Sequence, residues 1–78
     1  MTLEVDGARA LEFAIGVVLQ FDGDPPRTNK VLIVSGGYED YPTRLLVRID
    51  EALDAAAAAA LLERGAAMGL DIVETADR

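Results

Sequence analysis

The side chains that most often perform chemistry in proteins are nearly absent from this chain. Its 78 residues include no His, no Cys and no Trp, with Ser35 the single serine and Lys30 the single lysine. Proton transfer near neutral pH falls most often to His, and nucleophilic attack to Cys or to a Ser or Thr beside a base. The composition therefore predicts a protein that is not an enzyme, holds no metal or cofactor, and works by binding.

Three local groupings could still carry chemistry. Ser35-Gly36-Gly37 follows an apolar run, as phosphate-cradling loops do, but such loops need particular glycine spacings and a helix immediately after. Here Tyr38-Glu39-Asp40-Tyr41-Pro42 follows and sets two carboxylates where an anion would approach. Asp22-Gly23-Asp24 puts two carboxylates on one loop, yet Pro25, Pro26 and Arg27 replace the further oxygen ligands of a calcium loop. Its Asp/Gly/Pro composition suits a turn. Carboxylate pairs can also cleave glycosides, which requires a cleft that so small a domain has little material to build.

The best candidate site is a partner-binding one, formed by Tyr38, Glu39, Asp40 and Tyr41 with support from Asp22 and Asp24. Tyrosine offers large contact area at low entropic cost, and adjacent acids match a basic partner. Fourteen acidic against seven basic side chains give a formal charge of −7. That sign argues against direct binding to nucleic acid or to acidic membranes, and favours a basic protein surface, the commonest of which bind DNA or RNA. The apolar run 13–19 is too short to span a bilayer and is preceded by Glu4, Asp6 and Glu12, so a cytoplasmic location is expected.

The elements that must position these residues follow from hydrophobic periodicity. Phe13, Ile15, Val17, Leu19 and Phe21 alternate over 11–21 and predict a strand, with Ala14, Gly16 and Val18 making its other face apolar. Residues 30–35 and 44–50 predict two more strands, the latter with Leu45, Val47 and Ile49 inward, Arg44, Arg48 and Asp50 outward, and Leu46 the exception. Asp50 suits an N-cap for a helix over 50–68 ending at Gly69, and residues 70–75 close the chain as a strand. The expectation is one α+β domain over residues 1–78, of order β-β-β-α-β. Its antiparallel sheet has four strands, or five if 2–5 adds one before an Asp6-Gly7 turn, and one long helix lies on one face.

From Ala55 to Leu62 no polar side chain appears, so Ala55, Ala58, Ala59, Leu62 and Ala66 form a possible oligomer face on the far side of the helix. One helix cannot cover both faces of an apolar sheet and its own far side. A homodimer or a partner is expected to cover that helix surface or an apolar sheet face.

In size, acidity and lack of both Cys and catalytic residues, the chain resembles the small phage-encoded inhibitors called anti-CRISPR proteins. The resemblance implies an inhibitor or adaptor that occupies a DNA-binding surface, with Asp22, Asp24, Glu39 and Asp40 standing in for phosphates. A self-associating accessory or antitoxin-like subunit of a larger complex is the alternative.

Overall fold

A computed structural model describes residues 1–35 and 43–75. The elements run β1 (Thr2–Asp6), α1 (Ala10–Asp22), β2 (Val31–Ser35), β3 (Arg44–Ile49), α2 (Ala55–Ala67) and β4 (Asp71–Thr75). The domain is α+β with a four-stranded antiparallel sheet, as the sequence suggests, but it has two helices and the order is βαββαβ. The strands lie in the order β2-β3-β1-β4. This is the split βαβ, or ferredoxin-like, arrangement.

The strand expected over 11–21 is helix α1. Ala10, Phe13, Ala14 and Val17 are buried in it, and Phe21 continues the stripe half-buried, at spacings of three and four that fit a helical turn. The alternation of apolar residues in this segment arises because residues between the buried ones are apolar too; Ile15 and Leu19 face solvent. The N-cap position is held by Arg9, whose side chain caps nothing, so no Ser, Thr, Asp or Asn marks the start. Residues 2–5 do form a strand, and Asp6-Gly7 leads into α1 rather than into a hairpin. This strand, β1, lies inside the sheet between β3 and β4.

α2 begins later than expected. Asp54, not Asp50, is its N-cap, and its carboxylate accepts the Ala57 N–H at 2.8 Å. Asp50 instead prolongs the sheet, donating its N–H to the Lys30 carbonyl at 2.6 Å. The helix does stop at Gly69, which sits at φ +78°. The Gly69 N–H donates to Ala66 O and the Leu70 N–H to Gly65 O, each at 3.0 Å. Those two bonds satisfy the last carbonyls in a Schellman closure, and the left-handed φ explains the glycine.

Both helices pack on the same sheet face. Leu3 and Val5 of β1 and Leu45, Val47 and Ile49 of β3 point to that face and are fully buried, against Phe13, Ala14 and Val17 of α1 and Leu61 of α2. The inward set expected of the third predicted strand is thus correct. α1 lies over β2 and β3, and α2 lies against β4. Arg64 ties the helices together: its guanidinium lies 5.4 Å from the Phe13 ring centroid and donates to Gln20 Oε1 at 2.9 Å.

Candidate interaction surface

The two helices cover one face of the sheet, and among the described residues nothing covers the other. The register puts the open-face side chains in two complete rows. Val34, Leu46, Glu4 and Val73 form one, and Leu32, Arg48, Thr2 and Thr75 the next. Beyond them Arg44, Asp6 and Asp71 start a third, in which Arg44 Nη2 lies 3.5 Å from Asp6 Oδ2. Side chains on successive rows are about 7 Å apart along a strand, and neighbours within a row about 5 Å apart, so each row is continuous.

This face concentrates exposed apolar area. Leu32 is 55% exposed, Val73 54%, Val34 44% and Leu46 37%. They account for four of the six large hydrophobic residues exposed among the described residues; Ile15 and Leu19 on α1 are the other two. The face forms a broad, open depression of about 480 Å³ in which Glu4 and Arg48 are the charged members. Among the described residues neither Glu4 nor Arg48 makes an ion pair. Among the described residues no aromatic side chain stands on it to stack a base.

Of the residues expected to bind a partner, the described ones fall elsewhere. Tyr38, Glu39, Asp40 and Tyr41 lie outside the described residues. Asp22 is 6% exposed, and its carboxylate organises the loop between α1 and β2. It accepts the Thr28 hydroxyl at 2.5 Å, the Lys30 N–H at 2.9 Å and the Val31 N–H at 3.2 Å. The Thr28 hydroxyl, ahead of the two backbone donors, holds the carboxyl below the usual carboxylate range against the opposing effect of its burial. Asp22 is thus a structural residue whose oxygens are already occupied. Asp24 is exposed, in the loop that enters β2, whereas residues 36–42 follow the strand's other end.

Of the proposed helix face, Ala55, Ala59 and Ala66 are exposed and Ala58 is half-buried, while Leu62 packs against the core. Its one large side chain is therefore partly committed inward. Among the described residues no group of three His, Cys, Asp or Glu side chains could hold a metal ion. Among the described residues no helix is long and apolar enough to cross a membrane.

One residue signalled the open face in the sequence: Leu46, the apolar side chain that breaks the alternation of its strand. Leu32 and Val34 sit in an uninterrupted apolar run, where nothing distinguishes outward from inward positions. The chain matches no protein-family model, and no curated protein or solved structure shows significant similarity to it.

Proposed function

We propose that this chain is a non-catalytic protein-interaction module whose working surface is the open face of its sheet. The observation that carries this reading is the exposure of four large apolar side chains on one face, 37% to 55% each: Leu32, Val34 and Leu46 side by side, and Val73 across Glu4 from Leu46. Small soluble domains seldom leave such a patch to water unless something binds it. The composition supports a binding role, since the chain has no His or Cys and a single Ser.

A second reading is favoured by how the charge is divided. The outward residues of the four strands include two arginines and three carboxylates, so this face carries a net charge near −1 out of the chain's −7. Among the other described residues a surplus of about −4 lies away from it, available to a basic surface such as that of a nucleic-acid-binding protein, as in an anti-CRISPR-like inhibitor or adaptor. The two readings use different surfaces and are compatible.

A photocrosslinking amino acid placed at Val34, with Ala59 on α2 as control, tests the first reading in the protein's native cells. Adducts to protein, of its own mass or of foreign mass, should arise from position 34 and far less from position 59. Position 34 yielding none would remove the open face from consideration.

A further inference from the structure

Resting on the open-face reading, we infer that the occupant of this face is a second copy of the chain, docked about a two-fold axis that sets each Glu4 against Arg48 of the other copy. The face has the pattern such a pairing needs. Glu4 stands in line with Leu46, and Arg48 in line with Thr2, so Glu4 and Arg48 occupy one diagonal of a four-residue cell and Leu46 and Thr2 the other. Diagonal neighbours on a sheet face are about 7–8 Å apart.

A two-fold interface makes the same patch meet itself, so each group must find its complement within that patch. An axis lying between the two sheets and crossing the line from Glu4 to Arg48 at its midpoint exchanges the two positions. Each carboxylate then faces a guanidinium across the gap of about 10 Å that separates stacked sheets, a span the two long side chains can close between them. The same axis runs close to the other diagonal. Leu46 therefore packs on its own copy with Val34 beside it, and the strands of the two sheets cross steeply, as in orthogonal packings.

Charge selects the occupant. Two chains carrying −7 each repel, and they approach at least cost through the surface where charge is nearly cancelled. A basic partner would be drawn instead to the acidic surfaces elsewhere. A nucleic acid would find little net positive charge on this face. Area sets the strength. Four strands of about five residues present a face of roughly 19 by 17 Å, or some 300 Å² in projection. That is smaller than the roughly 800 Å² of accessible surface per partner in a standard interface. The dimer is accordingly weak and reversible, dissociating at roughly 10–100 µM.

Sedimentation equilibrium over a concentration series up to about 1 mM tests the inference on Glu4→Arg, Arg48→Glu and the double variant E4R/R48E. Both positions are exposed, and circular dichroism checks that each variant folds. Each single variant places like charges together and should weaken the dimer at least tenfold. The double variant should restore it, and so should an equimolar mixture of the two single variants, since both ion pairs re-form only in the mixed dimer. Added salt should strengthen wild-type association by screening the long-range repulsion, the opposite of binding to a basic partner. A wild-type chain that stays monomeric at the highest concentration, or single variants that dimerise as the wild type does, would overturn the inference. So would failure of the mixture to associate. Adducts of foreign mass alone from position 34 would overturn the second copy as occupant and leave the open-face reading standing, whereas no adduct at all removes both.

Discussion

Gly65 provides a sharp test of how α2 is seated. The residue is buried in a helix interior, where alanine is ordinarily better than glycine by about 0.8–1 kcal/mol. A methyl group at this position would lie 1.7 Å from Ile72 Cδ1, 3.0 Å from Ile72 Cγ1 and 3.5 Å from Phe13 Cε1. Gly65→Ala can therefore be accommodated only if the end of Ile72 swings away or α2 lifts from β4. Overpacking of this kind costs about 1–3 kcal/mol, which outweighs the propensity gain and leaves a net loss between about zero and 2 kcal/mol. The obstructing atom can be removed separately. Ile72→Val deletes Cδ1 at a cost below about 1.5 kcal/mol, because Ile72 is only half-buried. In that background Gly65→Ala should become neutral or stabilising, giving a coupling energy of about 1–2 kcal/mol between the two sites. Urea denaturation of the four proteins measures it, with melting temperature as a second readout at about 4–8 °C per kcal/mol. If Gly65→Ala stabilises the wild-type background by the full helix-propensity increment, the close approach of α2 to Ile72 is refuted.

Asp22→Asn should lower the melting temperature more than Asp24→Asn does, because only Asp22 has its oxygens filled by Thr28, Lys30 and Val31. Its carboxyl is held below its ordinary value in the folded state, so its stabilisation is present above the unfolded pKa, about 3.9, and is lost as pH falls through the folded pKa. The difference in urea midpoint between wild type and Asp22→Asn should thus narrow steadily from pH 5 downward; a constant difference would show that the carboxylate charge is not what matters. Asp54→Ala removes the N-cap of α2 and should cost about 1 kcal/mol in the same assay. Phe13→Ala empties the largest fully buried side chain and should cost about 3–5 kcal/mol, enough to leave so small a domain largely unfolded by circular dichroism at 25 °C.

The strands over residues 30–35, 44–50 and 70–75 were legible because each is a short apolar or alternating run bounded by turn residues. α2 was legible because alanine admits little else. α1 was not: in residues 11–21 apolar side chains fill positions that fit both a period of two and a period near 3.6, and β-branched Ile15, Val17 and Val18 favour a strand locally. Tertiary packing decides the matter, since the stripe through Ala10, Phe13, Ala14 and Val17 is the one that fits over β2 and β3. Asp22 reads as a surface acid because Asp22-Gly23-Asp24, followed by Pro25-Pro26, has the composition of an exposed turn. Its partners Thr28, Lys30 and Val31 come together only once the loop has closed. Leu32 and Val34 became candidates for binding only when α1 left the sheet and moved to the other face, for then no described residue covers them.

The strand order β2-β3-β1-β4 has a further consequence, for cutting the chain in two. Residues 1–35 supply β1 and β2, and residues 43–75 supply β3 and β4. The order interleaves them, so neither portion contains two strands that are neighbours in the sheet. A fragment from either side of residues 36–42 would have a helix and two strands but no ladder of its own to hold them. Each half lacks what the other provides, and every inter-strand ladder in the domain joins one half to the other. Expressed separately and fused to two proteins that meet, the halves would remain unstructured apart and assemble only in each other's company, which makes the interleaved sheet a scaffold for a split reporter of proximity.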